Sequence, residues 1–261
     1  MRKLMIALVL LVVWAVTTLV PALPRNGETT DLVTLISTGI DWGLVAAPAV
    51  LVVALLVLRW NRLGLQAAWK PADILLAWPV LLLIVAAIAV AIIVGLPPSK
   101  AILFVAINTA FVGFSEELMF RGFLFRGASD KGRFWMAFVL TSVLFGAVHL
   151  GNVFITGNPS TVALQAVSAG CSGVLLMAIR LRSGSLYPVM VVHCLWDFSV
   201  TVVGMALAAN PASAAGVAPM VVGVMLLSEP VISLVFGLYL MRKGRAACPE
   251  WSVTATRPQA V

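Results

Sequence analysis

Eight apolar runs divide the chain, at about Leu4–Leu23, Gly43–Leu58, Ile74–Leu96, Ala101–Phe125, Phe134–Leu150, Thr161–Leu181, Leu186–Ala209 and Gly216–Met241. Several reach the roughly 20 residues that a helix needs to cross a hydrocarbon core. The breaks between them carry turn formers or charge, such as Pro97-Pro98, Gly157-Asn158-Pro159 and Asn210-Pro211. Only 10% of residues are charged while 62% are apolar. Average soluble domains carry roughly a quarter charged residues, so a water-facing surface could not be covered. The expected fold is an all-α integral membrane protein, a bundle of about eight transmembrane helices. Residues 1–245 read as one polytopic membrane domain. Residues 246–261, with Pro249 and Pro258, read as a disordered cytoplasmic tail.

The net charge of +7 follows the same plan. Lys and Arg sit at the ends of apolar runs, where they act as topology signals and touch lipid headgroups. With the N-terminus in the cytoplasm and all eight segments spanning, every Lys and Arg of the 17 except Arg25 and Lys100 falls on the cytoplasmic side. Both termini are therefore expected inside. No basic stripe interleaved with aromatics is present, which argues against nucleic acid. The three cysteines, Cys171, Cys194 and Cys248, show no CxxC spacing, so neither a disulfide framework nor a zinc ribbon is indicated. Arg2-Lys3 before an apolar run also fits a cleaved signal peptide. No clear A-x-A site precedes Arg25, and a retained anchor is the preferred reading.

Ionisable residues inside spans cost about 2.5–3.5 kcal/mol each at a helix centre on insertion scales. Here they are grouped. Segment four carries Ser115-Glu116-Glu117-Leu118-Met119-Phe120-Arg121, segment five ends in Phe145-Gly146-Ala147-Val148-His149, and segment seven carries His193-Cys194-Leu195-Trp196-Asp197. Both histidines of the chain lie in these segments. Glu117 and Arg121, Phe145 and His149, and His193 and Asp197 are each four apart, so each pair shares a helix face. Glu116 points about 100° away from Glu117, so one glutamate can pair with Arg121 while the other faces a different part of the interior. Glutamate and histidine converging in a water-filled cavity suit peptide hydrolysis, the carboxylate as general base and a histidine with a polar neighbour at the oxyanion. By rise along the helices, Glu116 and His193 lie a third to half-way in from the cytoplasmic ends. His149 falls near the far end of its segment, so tilt or a later start is needed to bring the three level.

E-E-x-x-x-R, F-x-x-x-H and H-x-x-x-[N/D], on three helices in this order, resemble the CPBP family. That family groups type II CAAX prenyl proteases with bacteriocin-processing and immunity-related membrane proteins. Ser183-Gly184-Ser185-Leu186-Tyr187-Pro188 before the third motif and the small residues Gly170 and Gly173 of segment six are similar as well. The resemblance covers about residues 101–200. It implies an intramembrane endopeptidase in which Glu116 activates water with help from His149. Glu117 and Arg121 would hold the site, and His193 with Asp197 would bind the oxyanion or position water. The eukaryotic enzymes resembled usually have Asn where this chain has Asp197. An ionised Asp197 would more naturally orient His193 or support a metal. A bacterial plasma membrane and a membrane-associated peptide or protein substrate are the expected setting, with membrane lipids as the other partner.

No cofactor is expected. The metal-dependent alternative would use Glu116, His149 and His193 as three ligands of a divalent ion such as zinc, although HExxH is absent. Two further alternatives are a non-catalytic scaffold or immunity factor of the same fold and a proton-coupled transporter. The transporter would call for paired broken helices, which are not evident. Glu229, before Pro230 in segment eight, has two readings: a cavity-lining group, or an acid kept neutral by burial. Asp41 reads as a solvated boundary residue, Phe145 as packing on the His149 ring, and Gly170 and Gly173 as helix close-packing points.

Overall fold

In the computed structural model, residues 2–24, 28–65, 69–129 and 134–244 are described. Each of the eight apolar runs is a helix. We number them with the short helices between: α1 (Arg2–Ala22), α2 (Leu32–Ser37), α3 (Trp42–Leu58), α4 (Pro71–Val94), α5 (Ser99–Ala128), α6 (Phe134–Thr156), α7 (Pro159–Ser183), α8 (Tyr187–Ala209), α9 (Pro211–Ala214) and α10 (218–244). The chain is all-helical among the described residues. Helices α1, α4, α5, α6, α7 and α8 are long and apolar enough to cross a membrane, and α3 is a shorter apolar helix. The outer faces are apolar too: Val53, Leu56, Val85, Ile93 and Val235 are exposed. Apolar surface on this scale is what a lipid-facing wall presents. The protein is a multi-pass membrane protein. Residues 245–261, which hold the expected tail, lie outside the described part.

Local chemistry explains the helix ends. Asp41 is not merely a boundary residue, because its Oδ1 accepts from the backbone N–H of Gly43 and Leu44 and caps α3. Asn158 caps α7 in the same way, accepting from Thr161 N, with Pro159 at the first helical position. Asn108, fully buried in α5, donates to the carbonyls of Ile36 and Gly39 and accepts from Asp41 N. That one side chain ties α5 to the α2–α3 turn.

Two helices contain wide π turns. One covers Leu118–Leu124 in α5, directly after Glu117, and its seven residues are all buried. The other covers Val224–Ser228 in α10, directly before Glu229-Pro230. Proline cannot donate a backbone hydrogen bond and clashes with the preceding turn, and a widened turn just ahead of it absorbs that clash.

The motif helices are packed closely. Helix α8 lies against both α5 and α4, and α7 lies against both α6 and α10. A Cβ at Gly113 of α5 would come within 2.9 Å of the Met190 carbonyl and 3.0 Å of Cys194 N on α8. Only glycine allows this crossing. Gly173 of α7 plays the same part against α6, 3.2 Å from Ser142 Cα by the same measure, as expected of a close-packing point.

Candidate active site

The three motif helices deliver their polar side chains to one place. Arg121 Nη1 donates to Glu117 Oε1 at 2.9 Å, and both residues are buried. The four-residue spacing that suggested this pair holds even though Arg121 sits in the π turn. The guanidinium carbon also stands 4.0 Å above the centre of the Phe145 ring, so its charge is shared with a π face.

His193 reaches the same carboxylate from α8. Its Nδ1 lies 2.7 Å from Glu117 Oε1, and a carboxylate only accepts, so Nδ1 carries the hydrogen. On the other side of the ring, Nε2 is 3.4 Å from Asp197 Oδ2 and 3.8 Å from Glu116 Oε2. His193 is therefore flanked by three carboxylates. Helical spacing alone pairs it with Asp197, whereas Glu117 is its close hydrogen-bonded partner.

His149 Nδ1 donates to the Phe145 carbonyl at 2.7 Å. In a neutral ring this leaves Nε2 without a hydrogen and able to accept. Phe145 packs edge-on against both histidines, with ring centres 5.2 Å from His149 and 5.8 Å from His193. It contacts the His149 ring as expected, and it also spaces the two imidazoles and carries Arg121. Glu116 lies within electrostatic reach of His149, His193, Asp197 and Glu117. Asp197 opens this cluster to the surroundings, with 32% of its side chain exposed.

Longer helices bring Glu116 and His149 closer in depth than the apolar runs alone suggest. Helix α5 runs on to Ala128, and α6 continues past His149 through a tight 3₁₀ turn to Thr156. At 1.5 Å per residue, Glu116 lies about 18 Å from Ala128 and His149 about 22 Å from Phe134, which makes them nearly level.

Several buried polar atoms here have no hydrogen-bond partner among the described residues: Glu116 Oε2, Glu117 Oε2 and Arg121 Nη2. Such atoms are rare inside proteins and concentrate where a substrate or solvent molecule is to be bound. Among the described residues, no three His, Cys, Asp or Glu side chains group as ligands of one metal ion. Both Nδ1 atoms are engaged within the protein, which fixes the two rings with Nε2 toward the cluster.

Residues 98–199 match the family model of the Rce1-like type II CAAX prenyl endopeptidases. This stretch is similar to the Rce1-like family. It contains all six polar residues described above and coincides with the region that resembles the CPBP family. No curated protein and no solved structure matches the chain. The matched stretch runs from the first turn of α5 to the middle of α8. Helices α1 to α4 and α10 enclose it without contributing to its motifs.

Sequence reasoning missed two polar groupings. One is Asn108. The other is a set of three serines, Ser168, Ser172 and Ser233, around Glu229. The available signals were an Asn within an apolar run and the i, i+4 repeat of serine on α7.

Proposed function

We propose that this protein is an intramembrane endopeptidase that hydrolyses a peptide bond of a membrane-associated substrate with a water activated by Glu116 and His149. The observation that carries the reading is Glu116 Oε2: buried, without a hydrogen-bond partner, and 3.8 Å from His193 Nε2. Its neighbour Glu117 is spent on Arg121 and His193. The two adjacent glutamates thus divide the labour, one holding the site and one left for chemistry.

In this mechanism a water lies between Glu116 Oε2 and His149 Nε2. Glu116 takes its proton as the oxygen attacks the substrate carbonyl carbon. The oxyanion that develops meets His193 Nε2–H. Carboxylates at both nitrogens suit a ring that carries a hydrogen on each, and Glu117 fixes its orientation. The intermediate collapses with cleavage of the C–N bond, and Glu116 returns the proton to the departing amine. Asp197 orients His193 and needs no amide hydrogen for that task. The substrate is drawn from the bilayer or its surface; the charge distribution supports both termini lying in the cytoplasm, and the family resemblance supports a bacterial plasma membrane.

The test is cleavage of a quenched library of CAAX-type and other membrane peptides by lipid-reconstituted protein, beside Glu116→Gln and His193→Ala, with and without chelator. Loss of cleavage in both folded variants and resistance to chelator are expected. Chelator-sensitive cleavage replaces the water-activation scheme by a metal one, and equal cleavage by all three proteins refutes the site.

A further inference from the structure

Glu229 lies outside the stretch that matches the family model, in α10, yet is almost fully buried (2% exposed). Three hydroxyls surround it. Ser168 Oγ is 2.8 Å from Oε2, Ser172 Oγ is 2.7 Å from Oε1, and Ser233 Oγ is 2.6 Å from Oε1. Ser168 and Ser172 come from α7, so the carboxyl bridges α10 and α7. A fourth short contact links Ser172 Oγ to the Ser168 carbonyl at 2.9 Å.

The three serines supply three hydrogens for these four contacts. With an ionised carboxylate, the single Ser172 hydrogen has to be shared between Oε1 and the Ser168 carbonyl as a weaker three-centre bond. A hydrogen on Oε1 gives every contact its own: Glu229 donates to Ser172, Ser172 donates to the Ser168 carbonyl, and Ser168 and Ser233 donate to the carboxyl. No cation is needed to balance a neutral group within the bilayer, where charge is costly. Titratable groups within its electrostatic reach include Asp197 of α8 and Cys171 of α7, and neither supplies a positive charge.

The bridge ends beside the catalytic cluster. Gly173 follows Ser172, and a Cβ there would stand 3.3 Å from Arg121 Nη2 and 3.4 Å from Phe145 Cδ1. The α7 backbone at this point is the wall behind the guanidinium that holds Glu117. We propose that Glu229 is a protonated positioning residue, a neutral carboxyl that locks α10 onto α7 and thereby fixes the wall behind Arg121. The positioning part rests on the peptidase reading above; the proton does not.

The experiment compares the full chain in lipid with Glu229→Gln, Glu229→Ala and Ser172→Ala. The infrared carbonyl band of a protonated carboxyl is expected in the wild type and lost in Glu229→Gln. The amide of Glu229→Gln can donate where the acid does, so its Tm should stay near wild type. Glu229→Ala should lower Tm by roughly 5–10 °C, for two or three lost hydrogen bonds. For cleavage, kcat should fall about tenfold at unchanged KM in Glu229→Ala, recover in Glu229→Gln, and fall less in Ser172→Ala, which serves if Glu229→Ala does not fold. No band lost in Glu229→Gln, or destabilisation equal to that of Glu229→Ala, overturns the proton. A kcat unchanged in both folded Ala variants overturns the positioning role. Absence of cleavage by the wild type refutes the peptidase reading and the positioning role with it, while the infrared and Tm comparisons still decide the proton.

Discussion

Replacing Arg121 by Met tests the centre of the site through one atom pair. Met matches the length of the arginine stem but removes the donor that lies 2.9 Å from Glu117 Oε1 and the cation above Phe145. Glu117 then keeps only His193, with its other oxygen already unpartnered. Breaking a buried ion pair from one side costs about 3–5 kcal/mol, chiefly through the charge left behind. A lost desolvated cation–π contact accounts for up to about 2 kcal/mol of such a change. At roughly 2–4 °C per kcal/mol for a chain of this size, Tm should fall by about 10 °C. Adding Glu117→Gln removes the stranded charge, so the double variant should regain at least half of that loss while remaining inactive. The assay is thermal unfolding of the four proteins of this cycle in one lipid composition. If Arg121→Met costs less than about 1 kcal/mol, or if the second substitution adds its full penalty to the first, the pair is not coupled and the holding role is wrong.

Glu116→Gln should fold as the wild type and lose at least about a hundredfold in kcat, read by peptide cleavage, since general-base contributions are of that order. Asp197→Asn should keep cleavage within about tenfold, because the side chain stands 3.4 Å from His193 Nε2 and acts only through that ring; a loss as deep as that of Glu116→Gln refutes this. Asn108→Leu strands two backbone carbonyls and the Asp41 N–H and should cost about 2–3 kcal/mol in thermal unfolding, with kcat per folded molecule unchanged. Gly113→Ala puts a methyl within 2.9 Å of the Met190 carbonyl, and overpacking of this kind costs about 1–3 kcal/mol. It should also lower kcat, because α5 and α8 carry Glu116 and His193.

The helices and the pairing of polar residues along each of them were legible because both depend on local order. Apolar runs of sufficient length have one stable form in lipid, and residues four apart meet on one face whatever the rest of the chain does. Glu117 with Arg121 and Phe145 with His149 follow from that rule. The approach of His193 to Glu117 does not, since it depends on how closely α8 crosses α5 at Gly113. The level of His149 was misplaced because the polar Gly151-Asn152 ended the apolar run while the backbone went on coiling. The Glu229 bridge joins residues some sixty positions apart, and the serines that make it resemble ordinary small residues of a membrane helix. Pro230 announced a disturbed helix but not a widened turn before it.

The widened turn in α5 gives this helix slack. A π turn holds one residue more than the regular spiral would need over the same height, so Leu118–Leu124 acts as a spare link between the glutamates and the C-terminal end of α5. Removing one residue after Arg121, such as Phe123, would tighten the turn to ordinary pitch and leave both ends near their present bearings. The same deletion a few positions before Glu116 would swing the carboxylates by about 100°. Homologous chains that differ by a single residue in length within α5 are therefore expected to take up the difference in this turn, and nowhere else along the helix.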